Sequence, residues 1–330
     1  MAVELSSAWP QVPIRAWDSS GWGEVAATPD GSIALGEALA QAPPHAPIGP
    51  AVMDRTTGKV TVIRRFTNPL TQVVSIVGDA DWIAWVEGSL MPSLQDWVLF
   101  SYDRHTTRIR TLASAPKPYP NTPFLMISIS HGVIVWSAVE APDGVFHVYA
   151  INADGSGLRV LAADVKGPQI VWPWVVYDVK PTAARPQAIL VQQNLESGEV
   201  REIAGPTDVS YFAYDGESLA WISSGTCSPV ACAPTDLFLQ SPLESAPLRI
   251  TSGQHLQFVS MNRRLIGWGQ PEGTLVYDRK LRVIVQLANL HGFYPVISAQ
   301  ALDWQYQPNP NASNPYEGTV WREVNVSDLP

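Results

Sequence analysis

The side chains that could bind a ligand or react with one are few and stand far apart. Trp22, Tyr119, Asn121, Asp208, His255, His291 and Tyr294 are polar or aromatic residues, each just ahead of a run of strand-forming residues. Aromatic faces stack on sugars and apolar groups, while amides, carboxylates and imidazoles hydrogen-bond them. A ring of such residues would hold a sugar or a peptide terminus. If the fold brought His255 to His291, or a second carboxylate to Asp208, the pair would suit acid–base chemistry or glycosidic cleavage. No short motif assigns catalysis: there is no Gly-x-Ser-x-Gly elbow, no His-Glu-x-x-His, no phosphate loop and no dinucleotide fingerprint. Catalytic residues are therefore unknown at this level, and no cofactor and no metal is expected. Asn152, Asp154 and Ser156 copy the opening of a calcium loop, but no Glu closes it, so a hydrogen-bonded turn is expected instead. The two cysteines, Cys227 and Cys232, flank a short Pro- and Ser-containing stretch and read as a disulfide. No His lies near them to complete a zinc site.

What must position these residues is a repeat. A short apolar run ending in a large residue recurs as Ile83-Ala84-Trp85, Ile134-Val135-Trp136, Val175-Val176-Tyr177, Leu219-Ala220-Trp221 and Ile266-Gly267-Trp268. Ile33-Ala34-Leu35 and Leu302-Asp303-Trp304 are weaker copies. Gly- and Asp-containing turns precede the runs, as at Pro29-Asp30-Gly31 and Asp215-Gly216. A second strand follows each run, then a turn, then a third, as in Val52-Met53-Asp54-Arg55 and Gly58-Lys59-Val60-Thr61-Val62. No segment has a helical period, and 29 prolines oppose long helices. Four short strands per repeat, a to d, make a propeller blade.

The expected fold is thus all-β, a seven-bladed β-propeller across residues 1–330 as one domain, with six blades as the alternative. The last unit, 296–323, is incomplete and lacks its d strand. Residues 12–17 form a spare strand at the other end, and they are expected to close that blade and remove an open sheet edge. The large residue ending each b strand is expected to fill the wedge between blades.

Asn152-Ala153-Asp154-Gly155-Ser156-Gly157-Leu158-Arg159-Val160-Leu161 resembles the blade signature of TolB-like propellers. The Tyr-Asp-Arg turns at 102–104 and 277–279 resemble those of WD-type and other bacterial propeller repeats. The resemblance spans the chain as architecture and about ten residues as motif. It implies protein binding outside the cytoplasm, in an extracellular or periplasmic setting, and implies no catalytic residue.

Charge narrows the partners. The net charge of −9 repels phosphate backbones, so nucleic acid is not an expected partner. No apolar run is long enough for a membrane span. The N-terminus has neither the basic segment nor the apolar core of a signal peptide. Asn311 and Asn325 head glycosylation sequons. The b–c connections are long and varied while the c–d turns are short and uniform. Long loops on a rigid scaffold are where binding resides. The expected function is a non-enzymatic, secreted binding propeller presenting its b–c loops to a protein or glycan. The alternative is a carbohydrate-active propeller enzyme, a lyase or glycoside hydrolase, with a site on the central axis.

Overall fold

Alternating apolar residues between Gly- and Asx-rich turns fold into short antiparallel strands throughout the chain. The computed structural model describes all residues except 1, 19–21, 41–45, 90–95, 116–125, 141–144, 181–187, 204–208, 224–234, 243–245, 254, 272, 289–294 and 307–319, and the side chains of 18, 24, 25, 140 and 166. Seven small sheets result, six of four strands and one of five, and the fold is an all-β, seven-bladed β-propeller. The first blade is Trp22–Ala27, Ile33–Leu39, Pro47–Asp54 and Lys59–Val62, hydrogen-bonded in the order a-b-c-d. Blades 2 to 6 repeat this order down to Val283–Ala288. By their contacts the residues form two units: 21–203, which holds blades 1 to 4, and 1–20 with 204–330, which holds blades 5 to 7.

The last blade takes Val296–Ile297, Ala301–Tyr306 and Val320–Asn325 from one end of the chain. Its fourth strand is Arg15–Asp18, antiparallel to the third, with Trp17 opposite Trp321 and Arg15 opposite Glu323. The N-terminal strand therefore closes the last blade, slightly later in sequence than 12–17. Its outer edge would otherwise bare unpaired backbone groups.

One strand was not legible in the sequence. Val3–Glu4 adds parallel to the d strand of blade 6, opposite Val285 and Gln286, which makes that sheet five-stranded. A single helical turn, Leu5–Ala8, follows and delivers Trp9. Trp9 is 1% exposed and packs with Val276 and Val285 of blade 6 and Leu302 and Trp304 of blade 7.

The b-strand slot is packing, as its residue types suggest. Leu35, Trp85, Trp136, Tyr177, Trp221, Trp268 and Trp304 are all buried. Three of them stack on the aromatic directly across on strand c: Trp85 on Phe100, Trp136 on Tyr149 and Trp221 on Phe238, with centroids 5.2–5.3 Å apart. Each such pair adds to the area buried between blades.

Candidate functional site

The two ends of the blades differ in how their polar groups are used. At the a–b and c–d end, an Asx side chain in seven of the turns accepts from backbone N–H groups two and three residues on. In the c–d turns these are Asp54 from Thr56 and Thr57, Asp103 from His105 and Thr106, Asn194 from Glu196 and Ser197, and Asp278 from Lys280 and Leu281. In the a–b turns Asp79, Asp215 and Asn262 do the same. Their second polar atoms reach the next blade. Asp79 Oδ2 accepts from Gly132 N (2.7 Å), Asn262 Nδ2 donates to Ser298 O (2.6 Å), and Asp215 Oδ2 accepts from Arg279 (3.0 Å). The Asn152–Ser156 segment obeys the same rule: Ser156 N and Oγ donate to Asp154 Oδ1 at 2.8 and 2.7 Å. It is a hydrogen-bonded turn, as expected. Asn325 likewise accepts from Ser327 N and caps the turn Val326–Asp328, so its amide oxygen is spent on the fold.

The b–c and d–a end carries the longer connections. The b–c connections run over 40–46, 89–97, 141–144, 180–188, 224–234, 271–272 and 307–319, five of them seven residues or longer, against c–d turns of four to seven residues at 55–58, 104–108, 153–158, 195–199, 241–247 and 279–282. Near this end, strand a is repeatedly bulged: the register shifts at 24/26, 73/75, 166/169, 209/211 and 257/260. A bulge interrupts the ladder and re-aims a side chain or an N–H.

In the unit of blades 1 to 4, the bulge of blade 2 turns the Val73 N–H to Glu37 Oε1 of blade 1, at 2.8 Å. Burial raises the Glu37 carboxyl to about 7, and that N–H lowers it only in part. Glu87 stands cross-strand from Val73 and occupies in blade 2 the place Glu37 holds in blade 1, two residues beyond the b-strand slot. It accepts from Trp85 Nε1 (2.8 Å) and pairs with Arg64 (3.3 Å), whose guanidinium lies 4.5 Å over Phe100. Burial also raises Glu87, against the pull of the Trp85 N–H and Arg64. Near neutral pH, Glu37 is thus a carboxyl that can donate a hydrogen bond or a proton. Sequence reasoning passed over this group. The available signal was a Glu at one position of two consecutive, otherwise buried b strands.

The residues expected to bind ligand fall as follows. Trp22 begins strand a of blade 1 and is 2% exposed, so its ring faces the core rather than solvent. Its Nε1 has no partner among the described residues. His255 is exposed in the d–a connection of blade 6, at φ 56°. Tyr119, Asn121, Asp208, His291 and Tyr294, with Cys227 and Cys232, lie outside the described residues. Among the described residues, no three His, Cys, Asp or Glu side chains stand close enough to hold a metal. None of the helices is long and apolar enough to cross a membrane.

Solved structures share the fold. An oligogalacturonate lyase in complex with manganese is similar over 97% of this chain and 91% of its own, with a TM-score of 0.60 at 11% identity. The β-propeller domain of the trilobed protease from Pyrococcus furiosus is similar over 86% and 91%, with a TM-score of 0.57 at 8% identity. TolB from Acinetobacter baumannii is similar over 95% of this chain and 65% of its own, with a TM-score of 0.47 at 11% identity. No protein-family model and no curated relative matches the sequence. At these identities the shared property is the propeller.

Proposed function

We propose that this chain is a non-enzymatic binding propeller that engages a protein partner through its b–c connections. One observation carries this reading. Seven Asx side chains at the a–b and c–d end are held by their own turns, three of them also by the next blade, while the longest connections lie at the other end. A specific protein interface needs about 800 Å² from each partner, which calls for several loops acting together. A photo-crosslinking residue at position 184 or 313, in two of the b–c connections, should trap a partner from the source's envelope extract. The same residue at Thr57, His105 or Glu196, on the c–d turns, should not. Equal trapping from both sets, or from neither, would refute the reading. Turnover of acidic polysaccharide would replace it with the carbohydrate-active one.

The same reading sets the chain outside the cytoplasm, extracellular or periplasmic, with Cys227 and Cys232 joined as a disulfide. Their spacing and the loop between them support it. Thiol titration of the unreduced, denatured protein should then find no free thiol. Two titrating thiols would remove the case for an oxidising compartment.

A further inference from the structure

The tryptophan that ends strand b has an indole N–H to satisfy, and the blades treat it differently. In blade 2, Trp85 Nε1 donates to Glu87 Oε1, two residues on, at 2.8 Å. In blade 6, Trp268 Nε1 reaches Gln270 Oε1 in the same way, at 3.4 Å. In blade 3 the residue two on from Trp136 is Ala138, whose side chain carries no acceptor. Trp136 is 2% exposed, and its Nε1 is sealed from water without a hydrogen-bond partner. Buried donors are rarely left so, because the lost hydration is not repaid.

A second such atom stands beside it. His147, on strand c of the same blade (Val145–Asn152), lies directly across from Ala138, as Tyr149 lies across from Trp136. Residues two apart on a strand share a face, so these four side chains lie on one face of the blade. The Tyr149 ring meets both: Trp136 stacks on it with centroids 5.2 Å apart, and His147 is tilted against it at 6.1 Å. His147 Nδ1 is also buried and has no partner. Trp136 stacks on Tyr149 as Trp85 does on Phe100, with planes 19° and 16° apart. By the same geometry its N–H is aimed along strand b, to the place over Ala138 that corresponds to the Glu87 carboxylate of blade 2. Trp304 of blade 7 lacks a partner too, but Val320, across from Tyr306, adds no second polar side chain.

We infer that this face of blade 3 is a binding site for one neutral hydroxyl group, held by Trp136 Nε1 and His147 Nδ1 over Ala138. The two atoms decide the class. An indole N–H only donates. Nδ1 is the sealed nitrogen of His147, so we assign the ring proton to Nε2, which makes Nδ1 an acceptor. A hydroxyl accepts from the first and donates to the second, and both buried atoms are satisfied. A carboxylate has no hydrogen to give Nδ1. It would also lack the guanidinium that Arg64 lends Glu87 at 3.3 Å. Arg64 follows the d strand of blade 1; past the d strand of blade 2 (Ile109–Ser114), Ala115 packs against the cluster that contains Trp136. The hydroxyl can come from water or from a short alcohol, and no protein partner is required.

The test is a crystal structure of the whole protein, grown without alcohols, at a resolution that shows ordered water. One peak should lie about 2.7–3.2 Å from both Trp136 Nε1 and His147 Nδ1. A second crystal soaked in isopropanol tells the sources apart. Branched density in place of the peak assigns the site to an alcohol, and an unchanged peak assigns it to water; either result sustains the inference. Ala138→Gln supplies the acceptor that Gln270 supplies in blade 6. The peak should then vanish, and Tm should fall by less than about 4 °C. The inference is overturned if no peak bridges the two nitrogens in wild type, or if the peak persists in Ala138→Gln. It is equally overturned if that variant loses about 4 °C or more, the response of a packed, dry place to a larger side chain, or if acetate fills the site and no hydroxyl does.

Discussion

Replacing Asp278 with alanine should destabilise the protein by about 3–5 kcal/mol, the largest effect of any single polar substitution described above. Asp278 is fully buried at the end of strand c of blade 6. Oδ1 accepts from the N–H groups of Lys280 and Leu281 and from Arg264 Nε at 3.3 Å. Oδ2 accepts from Arg264 Nη2 at 3.0 Å and from Trp9 Nε1 at 3.1 Å. Arg264 in turn donates to the backbone oxygens of Leu329 and Pro330. One carboxylate thus ties a blade turn, the N-terminal segment and the C-terminal segment together. Alanine would leave the Arg264 guanidinium, largely shielded from water, without its counter-charge. Urea or guanidinium unfolding checks the loss. Trp9→Phe, which keeps the packing and drops one hydrogen bond, should cost only about 1 kcal/mol. Trp9→Ala, which empties a site among Val276, Val285 and Trp304, should cost about 3–5 kcal/mol. Pairing Asp278→Leu with Arg264→Met should recover much of the loss, because an apolar pair has no charge to desolvate. If Asp278→Ala cost less than about 1 kcal/mol, the pair would be behaving as a solvated surface contact.

Glu37→Gln should stabilise the protein at pH 8 and leave it unchanged at pH 4.5. Burial raises the folded-state carboxyl from 4.5 to about 7, so the folded protein favours the protonated form. Below the unfolded value both states hold the proton and the raised affinity counts in full for folding. As pH climbs from 4.5 the unfolded chain releases its proton while the folded protein keeps it, so stability falls. The loss is complete once pH passes about 7. A shift of this size corresponds to about 3 kcal/mol. Glutamine keeps an oxygen for the Val73 N–H and has no proton to lose. The difference in unfolding free energy between variant and wild type should therefore grow from near zero to about 3 kcal/mol across this window. Subtracting one protein from the other cancels the carboxylates they share. A difference that stayed flat with pH would mean that Glu37 ionises as it does in water.

These two groups mark where sequence reading stops. The blade pattern was legible because it is local. Period-two alternation, Gly- and Asp-bearing turns and a large residue ending strand b are each set by neighbours a few positions away. The closing strand was legible too, because a spare strand at one end and a missing one at the other have a single joint solution. The Asx turns followed from residue type, since their acceptors bond two and three residues on.

The rest depends on partners distant in sequence. Burial pushes Glu37 toward its protonated form against the pull of an N–H 36 residues away, and no local pattern encodes that burial. Val3–Glu4 is too short to alternate and became a strand only because the edge of blade 6 was there to receive it. Trp22 resembled a ligand-stacking residue by its place ahead of a strand, yet it lies in the core. By itself the sequence determined which segments are strands and how they group into blades, because hydrogen-bonded hairpins and alternating burial are properties of neighbouring residues. Only the tertiary structure decided which side chains face water and which carboxyls keep their protons, because exposure and desolvation are set by whichever blade packs alongside.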